Sequence, residues 1–467
     1  MTPLRALLVA SLLFAACDAP TPARTPDAAV DRVEVDVAPA ERELPPSPKA
    51  LADLAGFSLP YRDLPPASDA ASVARRRWAL RTVRAMGLRR IRREIFWTDI
   101  EPTQGSFRFD AYDAIVQECA DAQIELLGVL AYGNPWASSA PGADAYFPPD
   151  DPATFARFAA ATVRRYRDRV HDWEIWNEPN AGFRFWRPNL RGDPAAFGAL
   201  VDAARTAIAV EDPAARVAYG GTVFLPQVLT GGVEFARESF EANRGLSRAL
   251  TAFAMHAYTL YPPRVSPERD AWPEVAHTRK VAQMAAMLDA EGFSLDRPIW
   301  ISEMGWPVTA TVTEALQAAW LVRAVLLSAL AGVDGVWIYQ LGDGPSANDL
   351  VPEDRFGIFR YDANTGDAID PEEKPSATAL RVLFTRFGRH RVTGREALAG
   401  APSDVYALAL RDPDGRRALA VWRAEDDAGP WRWTPPAGST VTDARGDAVT
   451  VGAGGVTVTG APVFVAM

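Results

Sequence analysis

The stretch HDWEIWNEPN, residues 171–180, has the pattern of an apolar strand that ends in polar residues. Asn177 and Glu178 follow the apolar run directly, and Pro179 comes next. Because proline lacks an N–H and restricts the residue before it, the chain should leave the strand here in a fixed direction. A strand that only filled a core would not need an amide and a carboxyl group at its end. The stretch therefore predicts a buried strand with functional side chains at its C-terminus.

Similar apolar runs recur along the chain, and amphipathic helical patterns separate them. The predicted strands are 55–60, 89–97, 124–132, 170–176, 216–224, 250–258, 297–304 and 333–341. The predicted helices are 72–86, 110–122, 152–168, 194–210, 231–247, 272–291, 312–331 and 374–387, with Asp110, Asp151 and Asp193 as candidate caps. This alternation predicts a (β/α)8 TIM barrel over residues 51–389. An open doubly wound sheet shares the alternation, but no GxGxxG turn follows the first strand, which disfavours dinucleotide binding.

After about residue 390 the pattern changes to short strands of period two, broken by Gly, Asp and Pro. Residues 390–467 are therefore predicted to form a small, sandwich-like all-β domain packed on the barrel. A structural role is favoured over sugar binding. Its tryptophans, Trp422, Trp431 and Trp433, suit either a core or a binding face.

The first 20 residues, MTPLRALLVASLLFAACDAP, contain one Arg and an apolar run that is too short for a membrane span. This pattern is typical of a secretory signal. The segment LFAAC, residues 13–17, resembles a bacterial lipobox, which implies cleavage before Cys17 and lipidation of that residue. An ordinary signal with an incidental cysteine is the alternative. We therefore expect a signal peptide over residues 1–17 and an exported, lipid-anchored protein of the bacterial cell envelope, either periplasmic or surface-exposed.

Residues 18–50 are rich in Pro, Ala and acids, which predicts a disordered tether. The other cysteine, Cys119, is expected to be a core residue. The net charge of −10 disfavours nucleic acid as a partner. The four histidines show no metal-ligand spacing and no HExxH motif occurs, so no metal and no cofactor are expected. A monomer that contacts the membrane only through its lipid anchor is expected.

Two acids stand at the ends of predicted strands: Glu178, and Glu303 in PIWISEMGWP, residues 298–307. In a barrel, strands four and seven can face each other across the mouth formed by the strand C-termini. A pair of carboxyl groups that flanks a bond suits glycoside hydrolysis. One group must be protonated to give a proton to the leaving oxygen, and the other must be ionised to attack the anomeric carbon. Their surroundings must therefore separate the two pKa values.

WEIWNEPN, residues 173–180, resembles the fourth-strand signature of the clan A retaining glycoside hydrolases, especially family 39 and related family 5 types. WISEMGWP, residues 300–307, is similar to the seventh-strand pattern of the clan. The resemblance implies a glycosidase that uses double displacement on a poly- or oligosaccharide. It implies that Glu178 is the general acid/base, Glu303 the nucleophile, and Asn177 the partner of the sugar 2-hydroxyl. It also implies a carboxyl separation of about 5–5.5 Å.

Two further segments resemble the clan. IRREIFWTDIEPTQGSFRFDAYD, residues 91–113, is similar to the second strand and its loop, which places Arg92 beside the nucleophile, where a cation would keep Glu303 ionised. Arg93-Glu94 departs from the more apolar or Asp-containing step of relatives, so either Arg92 or Arg93 could point inward. MHAY, residues 255–258, resembles the sixth-strand His-x-Tyr, which implies that His256 and Tyr258 line the site and that the tyrosine bonds to the nucleophile.

Aromatic rings stack on the C–H faces of sugars, and several tryptophans fall near predicted strand ends. Trp337, on the eighth strand, is the predicted platform under the reacting sugar. Trp306, Trp136 and Trp97 are further predicted substrate-binding residues.

Three alternatives to hydrolysis remain open at this point. The first is a catalytically inactive, glycan-binding surface lipoprotein on the same barrel. The second is a structural or adhesion lipoprotein, since fold does not fix function. The third is a transglycosylase with the same chemistry. The sugar, the linkage and the choice between exo and endo action are not determined by these motifs.

Overall fold

The computed structural model describes residues 40–224, 231–259, 265–270, 275–346, 351–360 and 371–467. Eight parallel strands close into a barrel in sequence order, each paired with its neighbour and β1 paired with β8. The predicted TIM barrel is thus confirmed. The strands are β1 Ala55–Ser58, β2 Arg90–Phe96, β3 Glu125–Ala131, β4 Asp172–Asn177, β5 Arg216–Val223, β6 Ala252–His256, β7 Ile299–Met304 and β8 Gly335–Tyr339.

Helices surround the barrel at the predicted positions, and short helical turns occur in the loops. The long helices are Ala70–Ala85, Asp110–Asp121, Pro152–Tyr166, Pro194–Glu211, Gly232–Ala242, His277–Ala290, Glu314–Leu330 and Pro375–Phe387. The short ones are Leu51–Leu54, Trp97–Ile100, Pro135–Ala137, Gly182–Phe185, Leu246–Ala249 and Pro352–Arg355. Asp151 and Asp193 cap their helices as predicted, by accepting bonds from backbone N–H groups. Asp110 instead lies inside its helix, which follows Phe109.

The inside of the barrel is filled in layers, because side chains of a strand alternate between its two faces. Near the N-terminal ends of the strands an apolar cluster fills the space, and the guanidinium of Arg90 lies 4.4 Å from the ring centroid of Trp337. This cluster contains Leu127, Ala218, Ala252, Ala254, Trp300 and Trp337. Apart from Arg90 this layer is apolar, and the opposite end, where the strands terminate, is left for polar side chains.

The C-terminal residues form antiparallel sheets, as the sequence predicts. Five strands pair in the order β13-β15-β11-β10-β9, and β12 pairs with β14. The strands are β9 Arg391–Arg395, β10 Val405–Arg411, β11 Arg417–Arg423, β12 Trp431–Trp433, β13 Thr440–Thr442, β14 Val456–Val458 and β15 Val463–Ala466. Trp422 is fully buried, whereas Trp431 and Trp433 are half-buried.

The predicted signal, Cys17 and most of the predicted tether lie outside the described residues. The last part of the tether, residues 40–50, is described and lies against the barrel helices. The backbone N–H of Arg42 donates to Ala282 O at 2.9 Å, and that of Ser47 donates to Ala329 O at 2.7 Å. Contact with the barrel thus begins before residue 51. Within the described part of the chain, no helix has the length and hydropathy to cross a membrane.

A buried ion pair joins the barrel to the C-terminal sheets. Arg323, on the helix Glu314–Leu330, has a fully buried side chain, and that of its partner Glu268 is 1% exposed. Arg323 Nη1 also donates to Asp426 Oδ1 at 2.7 Å, and Trp422 Nε1 donates to Glu268 Oε1 at 2.7 Å. Since both Asp426 and Trp422 belong to the C-terminal part, this buried ion pair is one of the contacts that attach it to the barrel.

Arg323→Met should destabilise the whole protein, because it leaves the carboxylate of Glu268 buried without its cation. We expect a loss of about 3–5 kcal/mol in the free energy of unfolding, measured by urea denaturation. The control is Arg381→Met, which breaks the half-exposed pair with Glu373 and should cost less than about 1 kcal/mol. Equal losses for the two variants would contradict a central role for Arg323.

Candidate active site

The guanidinium of Arg92 is the centre of a buried polar network at the C-terminal end of the barrel. Arg92 is fully buried, and its Nε and Nη2 donate to both oxygens of Glu174 at 2.9 Å. Its Nη1 donates to Glu303, and its Nη2 to Asn177 Oδ1 at 2.8 Å. This fork geometry holds two carboxylates and one amide at fixed positions.

The alternation along β2 decides between the two arginines. Arg92 lies on the inward face, whereas Arg93 points the other way, where its Nε donates to Leu64 O at 3.1 Å. Arg93 then bends back to the carboxylate of Glu94, at 3.1 Å. Of the two candidates, Arg92 therefore contacts Glu303.

The irregular C-terminal end of β4 sets the direction of the Glu178 side chain. Trp176 and Glu178 have positive φ angles of 69° and 47°, a backbone conformation that is rare for residues other than glycine. The backbone N–H of Glu178 donates to Gly221 O at 3.0 Å, and Asn180 forms two hydrogen bonds with the backbone of Val223. These bonds to β5 keep the turn in place, so the carboxyl group of Glu178 points into the barrel mouth.

Glu303, on β7, accepts hydrogen bonds at both oxygens. Tyr258 Oη donates to Oε2 at 2.9 Å, and Ser58 Oγ donates to Oε1 at 3.4 Å, beside the bond from Arg92. The tyrosine contact is the one that the resemblance implies. These donors fix the rotamer of Glu303 and leave its carboxyl group 7% exposed at the floor of the cavity.

His256 lies between the two glutamates. Its Nδ1 is 2.8 Å from Glu178 Oε1 and 3.7 Å from Glu303 Oε2, while its Nε2 is 3.9 Å from Glu174 Oε1. The imidazole is fully buried against Gly221, where a Cβ would come within 2.2 Å of Nε2. The position of His256 thus requires a glycine on β5, and the ring contacts three carboxylates.

The nearest oxygens of Glu178 and Glu303 lie within 4.8 Å of each other, with His256 Nδ1 or Nε2 within the same distance of both. Such a group of three ligands could also hold a metal ion. The expectation that no metal takes part therefore stays a prediction.

Burial and charge set the pKa values of these three groups. Burial raises the pKa of Glu303 above its ordinary value, although His256 and Arg92 oppose the rise. Burial acts in the same sense at Glu178, but the hydrogen bond and charge of His256 bring the pKa of Glu178 below its ordinary value. Burial disfavours the imidazolium, yet Glu303 and Glu178 raise the pKa of His256. These directions are opposite to those that the roles of acid and nucleophile require, because the contact with His256 lowers the pKa of Glu178.

A cavity of about 230 Å³ opens above these groups. Its polar lining includes Glu94, Asn177, Arg184 and Glu353 beside the two glutamates, and the rest is mostly aromatic. The aromatic residues are Tyr61, Phe96, Tyr132, Tyr146, Phe185, Tyr258, Tyr339 and Phe356. Because Tyr61 is 51% exposed, the aromatic lining extends to the protein surface.

The predicted tryptophan platforms lie elsewhere. Trp337 is in the apolar layer deep in the barrel, since it comes two residues before the end of β8, and Tyr339 takes the position at the cavity. Trp306 packs on Trp320 at 5.7 Å, and Trp97 packs on Trp136 at 5.2 Å between ring centroids. Trp97, Trp306 and Trp337 are buried core residues, and Trp136 is half-buried. None of the four lines the described cavity.

Sequence reasoning did not identify Glu174, Arg184 or Glu353. Glu174 gave a usable signal, because an acid inside an apolar barrel strand must be paired. Arg184 and Glu353 lie on loops, whose geometry the sequence pattern does not determine.

Comparisons with known proteins address the fold. No family model and no curated protein matches this sequence. A family 39 glycoside hydrolase from the gut symbiont Bacteroides cellulosilyticus WH2 is similar in structure, with a TM-score of 0.69 and 21% identity over 90% of this chain and 81% of that one. A monomeric beta-xylosidase from Caulobacter crescentus CB15 has a TM-score of 0.61 and 17% identity over 91% and 97%.

The catalytic domain of xylanase C of family 30, from Talaromyces cellulolyticus, is also similar, with a TM-score of 0.57 and 12% identity over 91% of this chain and 98% of that one. At these identities the likeness shows a shared fold. The resemblance to family 39 and its clan, indicated by the strand motifs, is therefore confirmed at the level of the barrel and its C-terminal sheets.

Arg92→Met should destabilise the protein in a pH-dependent way. Glu174 and Glu303 would then be buried carboxylates without a cation, and the pKa of Glu303 would rise further above its value in the unfolded chain. The variant is destabilised at pH values at which the unfolded chain ionises these acids. The loss in the free energy of unfolding should therefore be about 3–5 kcal/mol near pH 7 and shrink as pH falls below about 4. Urea denaturation at several pH values measures this, and a pH-independent loss would contradict the charge balance.

Proposed function

We propose that this protein is a retaining glycoside hydrolase that cleaves O-glycosidic bonds of a poly- or oligosaccharide by double displacement. The observation that carries the proposal is that Glu178 and Glu303, 125 positions apart, meet in one cavity with oxygens within 4.8 Å. Retaining enzymes place their carboxyl groups about 5–5.5 Å apart, whereas inverting enzymes need about 6.5–9.5 Å to admit a water. The short spacing supports retention.

In the first step, Glu303 attacks the anomeric carbon and forms a covalent glycosyl ester. The glycosidic oxygen receives a proton from Glu178 as the bond to the leaving group breaks. His256, which shares a hydrogen bond with Glu178 at 2.8 Å, supplies this proton to Glu178. The nucleophile needs to be ionised at that moment, and the bonds from Arg92 and Tyr258 favour its charged form.

In the second step, water attacks the same carbon, and Glu178 takes its proton as general base and passes it back to His256. The bond between sugar and Glu303 breaks, and the released carboxylate returns to Arg92 and Tyr258. Asn177 binds the sugar and does not act on the reacting bond. Because its Oδ1 accepts from Arg92, its amide NH2 group is left to donate to a sugar hydroxyl.

The aromatic lining supports a carbohydrate substrate. A cavity of about 150 Å³ can hold benzene, so the 230 Å³ here suits one sugar ring with its hydroxyl groups. The rings of Tyr61, Phe96 and Tyr339 provide apolar faces, while the acids and Asn177 provide hydrogen bonds.

The cellular location remains a proposal from the sequence alone. We propose that lipidation of Cys17 anchors the exported enzyme at the bacterial cell envelope and that the enzyme acts as a monomer.

Glu303→Ala and Glu178→Ala test the function. Both should lower kcat/KM on nitrophenyl glycosides by about 100-fold to 10,000-fold or more, since each removes a group that acts on the reacting bond. Glu396→Gln, an acid of the C-terminal sheet paired with Arg417, is the matched control and should keep full activity. Azide should restore activity to Glu178→Ala, and a 2-fluoro glycoside should label Glu303 in a mass-spectrometric peptide map.

Sugar binding by the wild-type protein without hydrolysis of any glycoside or polysaccharide would contradict this proposal and favour the glycan-binding alternative. New glycosides formed in the presence of an acceptor sugar would identify a transglycosylase. Loss of activity after chelation would show that the Glu178, His256 and Glu303 group holds a metal.

His256→Gln tests the source of the acid proton. The raised pKa of His256 keeps a proton beside Glu178, and this proton is lost as pH rises through that pKa. With glutamine, Glu178 must hold the proton alone, so the alkaline limb of kcat/KM should move to lower pH. A dinitrophenyl glycoside, whose leaving group needs no proton, is the control and should show a smaller shift. An unchanged alkaline limb on the nitrophenyl glycoside would contradict the role of His256.

A further inference from the structure

We propose that Glu94 determines which sugar the cavity accepts. Its carboxylate receives hydrogen bonds from two hydroxyl groups of the ring that binds there, and its charge restricts that ring to uncharged sugars. This inference rests on the proposed function and concerns the same site. Glu94 is a third carboxylate in the cavity beside Glu178 and Glu303, and it takes no part in bond cleavage.

The placement of Glu94 follows from the alternation along β2. Glu94 is two residues beyond Arg92 on the inward face, and therefore one step closer to the mouth of the barrel. Its side chain lines the same cavity as Glu178 and Glu303, and is 15% exposed. Glu94 is thus close enough for direct contact with a ring in the cavity, beside the reacting groups.

A structural role accounts for only part of the carboxylate. Arg93, which is fully buried, donates to Glu94 Oε2 at 3.1 Å, and this pair neutralises the arginine. In the part of the chain that the structure describes, no other side chain donates to Glu94, and its Oε1 accepts no hydrogen bond. An ionised carboxylate accepts about four hydrogen bonds. Oε1 is therefore available to ligand hydroxyls, and a pair of adjacent hydroxyls matches the two oxygens.

The charge of Glu94 acts across the cavity. Burial is the main cause of the raised pKa of Tyr132, and Glu94 adds to it; Glu94 also contributes to the raised pKa of Glu303. A sugar carboxylate in this position would face Glu94 as a like charge. Arg184 also lines the cavity, but it already contacts Glu353 at 3.3 Å. The lining thus offers acceptors for hydroxyl groups and repels uronic acids.

The test compares wild type, Glu94→Ala and Glu94→Gln on three nitrophenyl substrates. These are the neutral glycoside that the enzyme cleaves best, its 3-deoxy or 4-deoxy analogue, and the uronide of the same configuration. Glu94→Ala should lower kcat/KM on the parent glycoside by about 100-fold and on the deoxy analogue by less than about 10-fold, because one partner hydroxyl is already missing. Glu94→Gln should reduce the preference for glycoside over uronide by about 10-fold.

A structural role of Glu94 predicts a different pattern. Loss of the contact with Arg93 would lower the unfolding temperature and reduce kcat/KM on all three substrates by the same factor. Equal losses, or full activity of Glu94→Ala on the parent glycoside, would overturn the inference.

A binding measurement separates this inference from the proposed function. If the wild-type protein cleaves none of the substrates, the proposed function fails, and titration calorimetry with the methyl glycosides decides the role of Glu94. Binding of a neutral methyl glycoside that Glu94→Ala weakens by about 10-fold or more would support the inference. Binding that the substitution leaves unchanged, or no binding at all, would refute it.

Discussion

The site depends on one buried cation. Arg92 sits between Glu174 and Glu303 inside the barrel, and its planar fork satisfies both carboxylates and Asn177 at once. Two acids in this space without a cation would take up protons or move apart, since burial strongly disfavours an unpaired charge. Glu174 orients and balances Arg92, and its Oε1 also accepts from the backbone N–H of Gly221 at 2.9 Å. Arg92 also stabilises the charged form of Glu303, so a reactive carboxylate can lie in the buried interior of the barrel.

The histidine adds a second constraint, because it brings a proton into a region of three acids. Neither Glu178 nor Glu303 titrates independently of the other while His256 contacts both. The reactive state is therefore a property of the cluster. This explains why the order of pKa values differs from the simple assignment of a protonated acid and an ionised nucleophile. The sequence names all three residues but contains no distances, and the distances decide where the proton resides.

Most of the fold could be predicted from the sequence, because most barrel strands contain an apolar run of fitting length and most of the long helices have an apolar face. Glu178 and Glu303 could be placed together because residues at strand ends of a barrel share one mouth, whereas Arg92, His256 and Tyr258 are implied by the resemblance of their segments to the clan. The positions of the tryptophans could not be predicted in this way. Trp337 is an aromatic residue of the eighth strand like Tyr339, and a displacement of two residues along β8 separates barrel core from cavity wall. Arg184 and Glu353 meet through loops that have no periodic signal.

The buried pair of Arg323 and Glu268 has a consequence for how this protein could have changed over time. Glu268 lies in the described segment 265–270, which comes after β6 along the chain, and Trp422 and Asp426 of the C-terminal sheets bond to the same pair. The sheets are thus fastened to a loop of the barrel through buried charges. Exchange of the C-terminal sheets for an unrelated domain would leave a charge of this network buried without its partners, so the sheets are not readily replaced. Barrel and sheets should therefore share one evolutionary history.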